Sequence, residues 1–350
     1  MTSKIYCFYL PQFHRIPEND AWWGEGFTEW VNVAKAQALY KDHYLPIPGE
    51  LGFYDLSDSN VLKQQAELAK LHRIDGFMFW HYWFGDGDTL LEKPVKSLLQ
   101  NKGVDIEFAL SWANHSWERK TWNKDGDKEV LKRQSYFKGD VIKHWDYILP
   151  FLKDSRYIKI GNRPVFTIFD PLKIEGLNML ETWNELAKAE GWNGIYFIAR
   201  DSASRSKKKL LSMGFDAIYN DDVFNVHHEL NILSKLYLKF KRDILGKPSV
   251  FEYSKAARLM LGDDAKEDEV IPLIAPNWDH SPRSGNRAII LKNSTPEKFG
   301  KLLLRALSII EEKNNPILLI KSWNEWGEGN TLEPDIKFGR GYLEQIRDRR

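Results

Sequence analysis

The chain has 350 residues, and its 50 Lys and Arg stand against 49 Asp and Glu, a formal net charge of +1. A balanced charge argues against a nucleic-acid binder, and a single cysteine, Cys7, excludes an internal disulfide or a multi-cysteine metal site. Hydrophobic residues at 43% leave ample material for a globular core, and the unusual feature is aromatic, with 14 Trp, 14 Tyr and 19 Phe.

The opening MTSKIYCFYLPQFH carries no signal-peptide pattern, and no stretch approaches a membrane span, so the expectation is a soluble, cytoplasmic chain with no membrane insertion. The first apolar run, Ile5–Leu10, reads as a strand. A long aromatic loop follows, then a helical pattern over Asn60–Leu71. Strand Gly76–Trp80 precedes helix Leu90–Asn101, strand Ile106–Trp112 precedes helix Gly139–Lys153, and strand Pro164–Phe169 precedes helix Met179–Glu190. Strands Ile195–Ala199 and Ala217–Tyr219 flank helix Lys207–Met213. Residues 221–268 read as an irregular surface insertion with a basic helix, KLYLKFKRDILGK, and an acidic loop, GDDAKEDE. Strand Val270–Ala275, helix Pro296–Lys313 and strand Ile317–Trp323 complete the series, with Pro296 placed to start its helix.

Eight short apolar strands alternating with helices predict an α/β fold, one (β/α)8 TIM barrel over residues 1–350 with the insertion after strand 6. A doubly wound sheet is the alternative, and no nucleotide-binding glycine fingerprint follows the first strand to support it.

In such a barrel the chemistry sits on loops after the carboxyl ends of strands. Eleven of the fourteen tryptophans (22, 23, 30, 80, 83, 112, 117, 122, 278, 323 and 326) fall in or just before five of these loops. Flat rings beside hydrogen-bonding side chains suit a sugar, so an oligo- or polysaccharide is the expected partner, with Trp23, Trp80, Tyr82, Trp112, Trp117 and Trp278 as candidate platforms. Capping of the barrel mouth is the plainer role for any one ring.

The sharpest constellation is Ser322-Trp323-Asn324-Glu325-Trp326-Gly327-Glu328-Gly329. Two carboxylates three residues apart at a strand end match glycosidic cleavage, in which one group protonates the leaving oxygen and a second assists at the sugar. Adjacent carboxylates also push their pKa values apart. Glu325 and Glu328 are therefore the candidate catalytic pair, with Asn324 and Trp326 beside them.

The stretches YLPQFHRIPENDAWWGEGFTEW, GFMFWHYWF, SWANHSWERKTW, APNWDHSPR and SWNEWGEGNTLEP, spanning residues 6–334, make the chain resemble the glycoside hydrolase family 99-like proteins, specifically the WbsX group found with bacterial surface-polysaccharide (O-antigen) genes. The more remote likeness to endo-acting α-mannosidases rests on N-E-W-x-E-G. The resemblance implies a (β/α)8 fold and a retaining route. Glu325 would deprotonate the sugar's own 2-hydroxyl, which forms a 1,2-anhydro sugar, and Glu328 would serve as acid/base. Gly327 stands where those mannosidases carry a histidine, which implies a different pocket near the acid. The in-line geometry of that route favours α-mannosides or α-L-rhamnosides. Gene context also attaches a glycosyltransferase label to WbsX proteins, and a catalytically silent carbohydrate-binding barrel is a third reading.

Tyr9 and Gln12 are expected at the floor of the pocket. His14, His81 and His115 lack zinc-binding spacing, so no metal or cofactor is called for, and each reads as a sugar contact or a loop support. Asn114, Glu118 and Arg119 are candidate hydroxyl partners or loop scaffold. Asn277, Trp278 and Asp279, with Arg283 and Arg287, suit an anionic sugar or phosphate, or else internal ion pairs.

Overall fold

The computed structural model describes residues 3–119, 129–202, 206–221, 223 and 225–350. Eight parallel strands form the barrel: β1 (Lys4–Tyr9), β2 (Gly76–Gly85), β3 (Glu107–Trp112), β4 (Arg163–Ile168), β5 (Tyr196–Asp201), β6 (Ala217–Asn220), β7 and β8 (Ile317–Ile320). β7 comes in two pieces, Val270–Ile271 against β6 and Leu273–Ile274 against β8. The break is Pro272, which has no N–H for the ladder, while its carbonyl still accepts from Leu319 N at 2.9 Å. β1 pairs with both β2 and β8, so the ring closes.

The strands are apolar along their length because one face lines the barrel and the other meets the helices. Those helices are α1 (Ser59–Leu71), α2 (Lys93–Gln100), α3 (Asp140–Leu152), α4 (Met179–Ala189), α5 (Lys207–Ser212), α6 (Tyr253–Leu259), α7 (Pro296–Ile310) and α8 (Gly341–Arg349). α7 starts as expected at Pro296, with the Thr295 hydroxyl capping Lys298 N. β2 runs to Gly85, five residues past its expected end, because a short partner strand, Asp88–Leu90, pairs back onto it.

Residues 221–268 are less irregular than expected. Strand Ser249–Glu252 pairs in parallel with Ile289–Lys292, and α6 packs Tyr253, Ala256 and Ala257 inward as the sixth barrel helix. At seven residues with a single apolar turn, α6 is too short for its periodicity to stand out in the sequence.

Candidate active site

The two glutamates lie on a tight hairpin at the carboxyl end of β8. Asn324–Glu325 pairs antiparallel with Asn330–Thr331, and a 3-10 turn, Trp326–Glu328, connects them. Gly329 ends the turn at φ +51°, and a Cβ there would lie 2.7 Å from the Asp279 side chain. The hairpin is pinned from both sides. The Asn324 side-chain amide accepts from Leu10 N at 2.8 Å and donates to Leu10 O at 3.0 Å. Behind it, Glu333 accepts from Trp323 Nε1 (2.9 Å), Trp326 Nε1 (2.6 Å), Gln65 Nε2 (2.6 Å) and the Tyr54 hydroxyl (2.9 Å). Burial lifts the Glu333 carboxyl to about 7 despite these donors.

Arg283, on the short helix Ser281–Ser284, gathers three carboxylates. Its Nη1 donates to Glu325 Oε1 at 3.1 Å and Glu328 Oε1 at 2.7 Å, and its Nε donates to Glu29 Oε1 at 2.7 Å. Glu29 is buried in the first turn of helix Glu29–Lys35. Gly327 makes this meeting possible: a Cβ there would sit 2.0 Å from Glu29 Oε1 and 2.9 Å from Arg283 Nε. Burial, then the charges of Glu328 and Glu29, raise Glu325 to about 7, with Arg283 and Lys321 opposing. His280 Nε2 lies 3.7 Å from Glu328 Oε1, and its other ring nitrogen meets the Ser284 hydroxyl at 2.7 Å.

These groups face a cleft of about 540 Å³ at the carboxyl end of the barrel. Its floor is aromatic: Phe8 stacks on Trp80 at 4.7 Å, and Phe169 meets Trp80 edge-on. In the same cleft, Lys321 Nζ holds both oxygens of Asp221 at 2.7 and 2.8 Å, and Arg200 lies 3.9 Å over the Phe169 ring. Burial alone would raise Asp221, but Lys321 and Arg200 outweigh it and hold the carboxyl below its usual range. A second hollow of about 560 Å³, lined by Trp23, Phe27 and Tyr136, continues past Glu328. Gln12, Glu29, His115, Trp117, His280, Arg283 and Glu328 line both, whereas Glu325 faces only the first.

Of the residues singled out in the sequence, the structure brings Glu325, Glu328, Arg283, Arg287, Gln12, Trp23, Trp80, Tyr82, His115, Trp117, Glu118 and Trp278 to these two hollows. Gln12 Nε2 donates to the Tyr82 hydroxyl at 3.1 Å.

The remaining expected contacts are corrected. Tyr9 points outward to Gln65 of α1 (2.7 Å), and His81 points to His144 of α3 (2.8 Å). Trp112 donates to the Trp83 carbonyl at 2.9 Å beneath the same helix. Strand side chains alternate faces, so Phe8, Trp80 and Tyr82 look into the cleft while their neighbours look away. His14 is fully buried outside the cleft lining. Asn114 clamps the backbone of Asp170 through its N–H (2.7 Å) and carbonyl (2.8 Å). Asn324 and Trp326 are supports of the hairpin, as above. Asn277 accepts from Thr331 N at 2.9 Å, and Asp279 meets His43 Nε2 at 2.6 Å; both line a separate cavity of about 350 Å³ behind the hairpin.

The tryptophan excess is thus divided: Trp30, Trp83, Trp112, Trp323 and Trp326 are core, and Trp122 lies outside the described residues. Sequence reasoning missed Glu29, His280, Arg200, Asp221, Lys321 and Glu333. Glu29, in the quoted stretch GEGFTEW, offered a signal as a carboxylate between glycines and tryptophans. Among the described residues no three His, Cys, Asp or Glu side chains group as metal ligands.

A closed parallel barrel ringed by helices, with carboxylates at its carboxyl end, defines a (β/α)8 TIM-barrel protein. Two solved structures of the GH99 endo-alpha-mannosidase from Bacteroides thetaiotaomicron share this fold, with TM-scores of 0.59 and 0.60 at 15% and 14% identity, covering 99% of this chain and 96% of theirs. A glycoside hydrolase-like protein aligns with a TM-score of 0.56 at 15% identity, over 99% of this chain and 93% of its own. The chain belongs to the WbsX family, whose model, described as glycosyltransferase WbsX, matches residues 5–346. The uncharacterized protein WxcX of Xanthomonas campestris pv. campestris (strain B100) is 31% identical over 353 residues, covering 99% of this chain. This chain spans about half the length of that relative, 49%.

Proposed function

We propose that this chain is a retaining, endo-acting glycoside hydrolase of bacterial surface polysaccharide, cleaving α-mannoside or α-L-rhamnoside linkages. The observation that carries the reading is the pairing of Glu325 and Glu328 on one Arg283 nitrogen at the wall of an aromatic-floored cleft. Glu325, raised to about 7, is basic enough to take the proton of a sugar 2-hydroxyl. The freed O2 attacks C1, the glycosidic C1–O bond breaks, and the leaving oxygen takes a proton from Glu328. Glu328 then deprotonates a water that opens the 1,2-anhydro ring at C1, and O2 recovers its proton from Glu325, so configuration is retained. Endo action is supported by the second hollow, which leaves room for sugar on both sides of Glu328.

The family description favours a second reading, a glycosyltransferase of polysaccharide assembly. One experiment separates them. Defined mannose- or rhamnose-containing polysaccharides are incubated with the protein and the products are analysed by mass. Release of internal oligosaccharides that Glu325→Gln and Glu328→Gln abolish supports hydrolysis. Inertness toward every such polysaccharide, together with thermal stabilisation by a nucleotide sugar, overturns it in favour of transfer.

A further inference from the structure

After β6 the chain forms a helix, Ile232–Asp243, that buries none of its residues. Asn231 caps it by accepting from Ser234 N at 2.8 Å. Ile232 (76% exposed), Leu233 (77%), Leu236 (58%), Tyr237 (62%) and Phe240 (52%) face solvent, and Ile244 (69%) follows them past the helix end. At about 3.6 residues per turn these side chains occupy one continuous arc. Ser234, Leu238 and Lys241 are half-buried on the side toward the barrel. Lys235, Lys239 and Arg242 border the arc along one edge and Lys241 along the other. A contiguous exposed apolar surface of this kind marks an interaction site. A twelve-residue helix is also marginal in water without a surface to hold its apolar side.

Charge decides what covers it. Residues 231–247 hold five Lys and Arg against one carboxylate, Asp243, in a chain whose total charge is nearly balanced. Asp243 is itself engaged by Arg242 at 2.7 Å. A second copy of this face would set cations against cations, whereas a bilayer containing anionic lipid complements both the apolar arc and its basic borders. No helix of the described residues is long and apolar enough to cross a membrane, so the contact is peripheral.

We propose that Ile232–Asp243 is an interfacial helix that seats the barrel on an anionic lipid surface, its apolar arc at the headgroup–acyl boundary and its cations on lipid phosphates. The helix follows the carboxyl end of β6, the end of the barrel that carries the cleft. Arg287 of the cleft wall acts electrostatically on Asp243 at the end of the helix. Docking would therefore bring the cleft beside glycan held at the lipid surface. The inference does not depend on the reaction proposed above.

The test is cosedimentation of the whole chain with phosphatidylcholine vesicles and with vesicles that also contain phosphatidylglycerol, at low and high salt. The expected result is at least about tenfold tighter binding to the anionic vesicles, weakened by salt. Leu236→Asp with Phe240→Asp, and separately Lys239→Glu with Arg242→Glu, should each reduce that binding at least about tenfold. Their thermal unfolding should match the wild type, because the helix buries no side chain. Equal binding to both vesicle types, or anionic binding that neither variant weakens, overturns the proposal. So does a dimer in light scattering that Leu236→Asp dissolves while no vesicle binds, since a second copy would then be the occupant.

Discussion

Glu325 sits among like charges: Arg283 balances one of three carboxylates, and burial adds to the cost of a second negative charge. A base must be ionised to act, so hydrolysis should fall as pH drops through about 7, the position to which Glu325 is raised. Glu29→Gln removes one of the charges that raise it, and the acidic limb of the kcat/KM profile should then move to lower pH. A limb that stays in place or moves upward would contradict the assignment. Glu325→Gln itself should cost at least about a hundredfold in rate. Gly327 is the complementary case, because it contributes by having no side chain. Gly327→Ala drives a Cβ into Glu29 Oε1 and Arg283. It should abolish activity while lowering stability by only about 1–3 kcal/mol, read by urea unfolding.

At the scale of the element, the hairpin Asn324–Thr331 depends on the buried carboxyl of Glu333 below it. Four donors converge on that group from α1, from Tyr54 and from Trp323 and Trp326, the tryptophans on either side of Asn324-Glu325. Glu333→Ala removes the acceptor of all four donors and should cost about 3 kcal/mol or more by denaturant unfolding. Glu333 also links stability to pH. Its carboxyl is raised from 4.5 to about 7 in the folded protein, so between those values the native state holds a proton that the unfolded chain has released. Its contribution is present in full below the lower value and is lost as pH rises to the upper one. Wild type should therefore lose more stability between pH 5 and pH 7, by up to about 3 kcal/mol, than Glu333→Gln does. An equal or smaller loss in the wild type would refute this.

For the whole molecule, closure of the barrel is the governing constraint. Pro272 splits β7, yet its two pieces still join β6 to β8. The helical layer closes in the same region, where Tyr342, Leu343 and Ile346 of α8 bury against α7, and Phe299 lies 5.8 Å from the Tyr342 ring. Leu343→Ala should cost about 2–5 kcal/mol and lower Tm, since the side chain is fully enclosed. Leu304→Ala, on the exposed side of α7, should change stability by less than about 0.5 kcal/mol. Comparable losses at both positions would mean that α8 does not close the layer.

The order of strands, the aromatic loops at their carboxyl ends and the place of the glutamate pair at the last of them were legible in the chain itself. Local apolar runs, proline and glycine punctuation, and residue chemistry are properties of short segments. The sense in which each strand-end side chain points was not legible. Phe8 and Tyr9 are adjacent in sequence, yet one floors the cleft and the other meets α1. The same alternation separates Trp80 from His81. Only the closed barrel brought Glu29, Arg283 and Asp221, from three distant loops, to the cleft that Glu325 and Glu328 also line. Their meeting depends on how the ring closes, and no spacing along the chain encodes it.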